Sequence, residues 1–259
     1  MKIQYASDLH LEFPQNTAWL ATNPLRVTGD VLVLAGDIGI FGVAGYHDHP
    51  FWNWAAAHYR QVVALPGNHE FYRFHDLDTL HDGWRLEIRP NAHCLYNAVV
   101  PLADDIDLIV TTLWAKIAPR HVRETELGVI DFHRIRSGDR PLDAARFNEE
   151  HERCFSFLGK ALAASKARHI VVATHHVPSQ LLTAPEYQGS AVGGAFTVEL
   201  RDFIETCPAE YWIYGHSHRN IDAVIGKTRC VSNQLGYVAD NEHATFDRGK
   251  VIEIPERAF

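Results

Sequence analysis

Thiols are scarce in this chain. Its four cysteines, Cys94, Cys154, Cys207 and Cys230, stand far apart in 259 residues, and no C-x-x-C occurs. That argues against a disulfide framework or a thiolate zinc site; free thiols in a reducing compartment are the expectation. Basic residues are the minority as well: 24 Lys and Arg against 32 Asp and Glu, a formal net charge of −8. A field of that sign opposes non-specific attraction to nucleic acid or anionic membranes, so no duplex-DNA partner is expected, though a locally positive pocket stays open. No apolar stretch approaches the roughly 18–20 residues of a membrane span. The opening MKIQYASDLHLEF has no apolar run of signal-peptide length. These absences point to a soluble, cytoplasmic protein. Low-complexity tracts, internal repeats and Ser/Gly linkers are missing too, so one domain over residues 1–259 is the simplest reading, long enough for a real core.

Histidine is what the chain has in quantity: 17, more than half the count of Asp and Glu together. It is the commonest protein metal ligand, so its placement matters. Five apolar runs read as strands buried on both faces: VLVLAGD (31–37), QVVALPGN (61–68), DLIVTTLW (107–114), HIVVATHH (169–176) and YWIYGHSH (211–218). Residues 142–166 set Phe147, Cys154, Leu158 and Leu162 on one helical stripe. Weaker helix patterns fall at 51–60, 75–87 and 196–206. Residues 220–237 read as short strands with turns at Gly226 and Asn233. Strands and helices alternate early and strands follow strands late, which suits layered sheets with outer helices. Residues 115–140 match neither period and read as irregular: a lid or binding loop over a site, or a surface excursion.

Each strand end delivers metal-ligand chemistry. The first gives Asp8 and His10, the next Asp37, then Asn68, His69 and Glu70, then His175 and His176, and finally His216 and His218. Sites in open α/β sheets lie outside the carboxyl ends of strands, so these groups can converge. In an extended segment residues i and i+2 face the same way, which would aim Asp8 with His10, and His216 with His218, at one ion. Carboxylate, imidazole and amide oxygen without thiolate suit Mn, Fe or Zn. So many donors exceed the need of one ion and suit two, bridged by a carboxylate, with Asp37 the natural bridge. Gly36 before it allows a tight turn, and Gly67 reads as a turn residue.

The ordered set D-x-H, G-D, G-N-H-E, H and G-H-x-H, spanning residues 8–218, resembles the calcineurin-like metallophosphoesterase superfamily. The resemblance implies an α/β fold, a four-layer αββα sandwich of two mixed sheets flanked by helices. It implies two metal ions. Asp8, His10 and His218 would hold the first with bridging Asp37, and Asn68, His175 and His216 would complete the second. His175, rather than His176, is taken as the ligand because the first of such a pair usually serves in that family. The activity implied is hydrolysis of a phosphomonoester or phosphodiester, small molecule or nucleotide, by a hydroxide bridging the ions. His69 would protonate the leaving oxygen, Asp8 would orient it, and the Asn68 NH₂ would point to phosphate. Glu70 reads either as a brace behind the ligands or as a helix-start charge.

Other segments carry weaker signals. HEFYRFH (69–75) is not H-E-x-x-H, and GIFGVAG (39–45) lacks G-K-[ST] and reads as a loop bordering the site. HDHP (47–50) reads as a helix-start turn. Arg73, Arg120, Arg123, Arg134 and Arg136 can reach substrate phosphate from loops or lie solvated. Tyr72 and Trp114 can stack on a base or belong to the core. Alternative functions are a nuclease on short or single-stranded nucleic acid, a protein phosphatase, and a catalytically silent scaffold; the last fits poorly with a full ligand set and an intact His69.

Overall fold

The computed structural model describes residues 1–42 and 46–255. Two six-stranded mixed sheets pack face to face. The first holds β1 (Lys2–Ala6), β2 (Val31–Ala35), β3 (Gln61–Leu65), β4 (Trp84–Arg89) and β5 (Ala92–Tyr96). The second begins with β6 (Ala98–Ala103) and β7 (Ile106–Thr111). A two-residue ribbon, β8 (Arg136–Ser137) with β9 (Arg140–Pro141), stands apart. The second sheet continues through β10 (His169–Thr174), β11 (Tyr211–Tyr214), β12 (Ala223–Ile225) and β13 (Thr228–Ser232). The last strand, β14 (Val251–Glu253), returns to the first sheet. The orders are β14-β1-β2-β3-β5-β4 and β12-β13-β11-β10-β7-β6. Central neighbours in both sheets run parallel, and the outermost strands run antiparallel.

The apolar runs explain this architecture. Along β2, Val31, Val33 and Ala35 face the other sheet, while Leu32 and Leu34 join the outer core. Along β10, Val171 and Ala173 point inward, Ile170 and Val172 outward. A strand with two buried faces has no polar side to show, hence the near-continuous apolar sequence. Helix α2 (Pro50–His58) covers the first sheet. Helices α5 (Ala144–Ala164) and α6 (Arg201–Thr206) cover the second; α1 (Pro14–Thr22), α3 (Val122–Gly128) and α4 (Asp131–Arg134) complete the set. α5 buries the expected stripe of Phe147, Cys154, Leu158 and Leu162. Its N-cap, Asp143, accepts from Arg146 N at 2.8 Å, a contact of about 1 kcal/mol. The fold is the expected α/β sandwich. No helix among the described residues is long and apolar enough to cross a membrane.

Four local expectations need correction. Residues 75–87 are not a helix: a single 3-10 turn at Leu77–Thr79 precedes β4, where Trp84, Leu86 and Ile88 alternate with Arg85, Glu87 and Arg89. Residues 196–200 bond through their backbone to Val177 and Pro178 rather than forming a helix, so only α6 is helical in that window. The 115–140 segment is ordered into α3, α4 and β8. Gly226 does turn a hairpin (φ +61°), but Asn233 is no turn; its amide donates to the carbonyls of Tyr5 and Asp247. HDHP starts α2, with His49 Nδ1 accepting from Phe51 N. Of GIFGVAG, residues 43–45 lie outside the described set. Phe41 and Gly42 line a separate apolar cavity of about 480 Å³ with His75 and Trp84.

Candidate metal centre

Five of the seven donors sit on left-handed backbone: φ is +54° at Asp8, +47° at His10, +55° at Asp37, +74° at His216 and +51° at His218. Such residues cost of order 1–3 kcal/mol each and cluster where function demands a geometry. The i, i+2 alignment of an extended chain is therefore not how Asp8 meets His10; kinked backbone aims both. Gly36 and Gly67 give the room. A Cβ on Gly36 would lie 2.3 Å from His175 Nδ1, and one on Gly67 would lie 2.2 Å from Asp37 Oδ1. Gly67, whose φ is not positive, serves clearance rather than the turn.

All seven expected donors converge around Asp37. Its Oδ2 lies 3.8 Å from His10 Nε2 and its Oδ1 3.4 Å from His175 Nε2. On the first flank His218 Nε2 is 3.0 Å from His10 Nε2 and 3.4 Å from Asp8 Oδ1. On the second, Asn68 Oδ1 is 3.0 Å from His175 Nε2. His216 joins Asp37 and His175 in a cluster whose ligand atoms lie within 4.8 Å of one another, as do those of Asp8, His10 and His218.

The hydrogen bonds behind these atoms test whether cations fit. His10 Nδ1 donates to Glu12 (3.1 Å), His218 Nδ1 to Glu242, His175 Nδ1 to the Ala35 carbonyl (2.9 Å) and His216 Nε2 to the Ala195 carbonyl (3.3 Å). Each ring thus turns its other nitrogen inward as a lone pair, the arrangement that orients histidine ligands. His10 and His218 meet acceptor to acceptor. So do His175 and the Asn68 oxygen. Among the described residues no Lys or Arg pairs with Asp8 or Asp37. Only a proton or a cation reconciles these contacts. Burial opposes the charged form of His218, but Asp8 and Glu242 outweigh it and raise its pKa to about 10. Asp37 likewise overcomes burial at His175 and raises it to about 9. The donor clusters are able to hold metal ions.

A model of the calcineurin-like phosphoesterase family matches residues 1–220. The chain belongs to that family. It is a metal-dependent phosphoric ester hydrolase. An uncharacterized protein of Acanthamoeba polyphaga mimivirus is 25% identical over 283 residues, covering 98% of this chain and 97% of its own length. Among solved structures, the phosphopantetheinyl hydrolase of Mycobacterium tuberculosis superposes with a TM-score of 0.66 at 14% identity, covering 99% of this chain and 98% of that one. That likeness is one of fold.

Braces around this phosphoesterase centre include residues that sequence motifs do not mark. Glu70 is buried, and its carboxylate accepts from the backbone of Asp37 (3.0 Å), Ile38 (2.8 Å) and Gly67 (2.7 Å). It clamps the Asp37 turn to the PGNHE turn and so is a brace, not a helix-start charge. Burial and the Asp37 charge push its pKa up to about 8, against the backbone donors that favour its ionised form. The Asn68 NH₂ does not face the cleft: it donates to Asp131 Oδ1 (2.8 Å), which also accepts from Tyr72 OH (2.7 Å). A carboxylate only accepts, so Asp131 forces the Asn68 oxygen toward His175. Nor does Asp8 orient His69. Glu12 does, at 2.8 Å from His69 Nδ1, while Tyr237 OH lies 3.3 Å from Nε2 and the Tyr72 ring stacks at 4.1 Å. Burial lowers the His69 pKa, but Asp37 and Glu12 more than reverse it. His176 is buried between His216 and Trp114, outside the clusters of Asp8, His10 and His218, of Asp37, His175 and His216, and of His10, Asp37 and His69, and Trp114 is core.

The centre opens into a cleft of about 1150 Å³. One wall is the 116–131 segment and the other is residues 180–199. Of the five candidate arginines only Arg120 lines it.

Proposed function

We propose that this enzyme hydrolyses a phosphate ester at a dinuclear centre held by Asp8, His10, Asp37, Asn68, His175, His216 and His218. The observation that carries the reading is the pair of acceptor-to-acceptor contacts flanking Asp37, each calling for a cation, with one carboxylate oxygen turned to each flank. Two ions, when bound, supply charge neutralisation at phosphorus and an activated water. The chain's own residues do the rest. Asp37 spaces the two flanks. Glu70 fixes that carboxylate. His69, oriented by Glu12 at its Nδ1, gives its Nε2 proton to the leaving oxygen, a contribution of about 10²–10⁴-fold. We read residues 1–259 as one domain in which the 115–140 segment walls the substrate cleft.

The test combines metal analysis with kinetics. Wild-type protein loaded with Mn²⁺, Fe²⁺ or Zn²⁺ is expected to bind two ions and to turn over p-nitrophenyl phosphate or its bis ester. His69→Ala is expected to keep both ions and lose turnover of alkyl esters by about 10²–10⁴-fold. Loss of metal in that variant, or full activity, refutes the role of His69. A single bound ion refutes the dinuclear centre. Because the M. tuberculosis neighbour is named for a phosphopantetheinyl group, 4′-phosphopantetheine belongs in the substrate panel beside nucleotides.

A further inference from the structure

We infer that the cleft selects phosphate esters of extended aliphatic alcohols over nucleotides; this rests on the phosphoesterase reading above. Its volume, about 1150 Å³, exceeds the roughly 300–1,000 Å³ that pockets for drug-sized ligands span, far more than a phosphoryl group needs. Beyond the donors its walls carry aliphatic side chains, Ile117, Val129 and Ile130 on one side and Val192 and Val198 on the other, set among polar ones such as Lys116, Arg120, Thr183 and Glu199. The walls come close together at their base. A Cβ on Gly194 would lie 2.8 Å from the Lys116 carbonyl, and one on Gly128 would lie 3.7 Å from Val192 Cγ1.

A nucleobase needs a flat aromatic platform. The tyrosine and phenylalanine rings lining this cleft are already engaged: Phe196 stacks on His216 (4.9 Å, 23°), Tyr72 stacks on His69, the Arg219 guanidinium lies 5.4 Å over Tyr187, and Tyr237 packs against His10, Phe13 and His218. The exposed large hydrophobics add a second, independent observation. Ile130 and Tyr187, 49% and 45% exposed, line the cleft, and Leu127 and Leu181, 69% and 50% exposed, lie on the same wall segments outside its lining. Apolar side chains gathered at the mouth of a reactive site mark what passes over them. Continuity with the metal centre makes that occupant the alcohol part of the substrate: phosphate at Asp37, chain along the walls.

Two series test this. With Mn²⁺ supplied, kcat/KM for n-alkyl phosphates from methyl to octyl is expected to rise about threefold to fourfold per buried methylene, and octyl phosphate is expected to outrun adenosine 5′-monophosphate. Binding of methyl- to octylphosphonate, read by calorimetry, is expected to follow the same trend without turnover. In Ile130→Asp and in Val192→Asp the octyl-to-methyl ratio is expected to fall at least tenfold. A ratio is immune to partial misfolding, which lowers both members. A flat alkyl series, a flat phosphonate series, or preference for the nucleotide overturns the inference. Turnover of p-nitrophenyl phosphate with a flat series sinks this inference alone, whereas no turnover of any phosphoester sinks the phosphoesterase reading and leaves the phosphonate series to judge the walls.

Discussion

Removing the Asp131 carboxylate probes how the amide ligand is aimed. Asp131 lies on α4, is 1% exposed, and accepts from Asn68 Nδ2 and Tyr72 OH. In Asp131→Ala both donors lose their acceptor in a buried site, about 1–3 kcal/mol each. The Asn68 amide is then free to turn its NH₂ toward His175 and present a donor where a ligand oxygen is required. Outer partners of metal ligands are worth about 10–100-fold in affinity, so one of the two ions is expected to bind that much more weakly. Asp131→Asn separates geometry from charge. Its Oδ1 can still accept both bonds, and its NH₂ replaces Oδ2, which has no hydrogen-bond partner. That variant is expected to bind both ions within about threefold of wild type, since a lost charge with kept bonds changes little. Mn²⁺ titration calorimetry of chelator-stripped protein, with thermal melts to exclude unfolding, gives the comparison. Unchanged binding and turnover in Asp131→Ala would refute the orienting role. Equal damage in Asp131→Asn would move the effect from geometry to charge.

Four further outcomes follow, three from the braces and the centre and one from α5. Burial raises the Glu12 pKa, but the His10 and His69 hydrogen bonds override it and bring it to about 2, so its contribution is present above pH 4.5 and lost as pH falls toward 2. In chelated protein Glu12→Gln is expected to cost roughly 1–3 kcal/mol at pH 7 and little at pH 2, measured by urea unfolding. Stripping the metal from wild type is expected to lower Tm by about 5–10 °C relative to protein in hundredfold excess over Kd, read by calorimetry. Gly67→Ala, which forces a Cβ onto Asp37 Oδ1, is expected to lose an ion and at least about tenfold in turnover; Gly159→Ala, where nothing lies within 4 Å in α5, is expected to gain about 0.5–1 kcal/mol.

The proposed metal donors were legible because their residue types are rare together and each follows an apolar run with no polar face. Their supports were not. Asp131 is 63 positions from Asn68, and Glu242 is 24 from His218 on an irregular stretch. No period or motif links them. Glu12 did leave a signal, two residues beyond His10 in DLHLE, but a lone acid at that spacing is indistinct from a turn residue. The β4 alternation of Trp84, Leu86 and Ile88 was readable as period two and was masked by the polar residues before it. Helices α3 and α4 are too short to show an apolar stripe, so their segment passed for irregular.

The two sheets share the centre between them. Asp8, His10, Asp37 and Asn68 follow strands of the first sheet, and His175, His216 and His218 follow strands of the second. Neither sheet alone carries a full donor set for either ion. During synthesis the first 70 residues can pair as strands, yet the site stays unmade until His218 has emerged and the second sheet has docked. On the proposed centre, metal capture would be a late event that reports completed assembly, and bound ions would act as rivets through the seam, slowing separation of the sheets more than their first meeting.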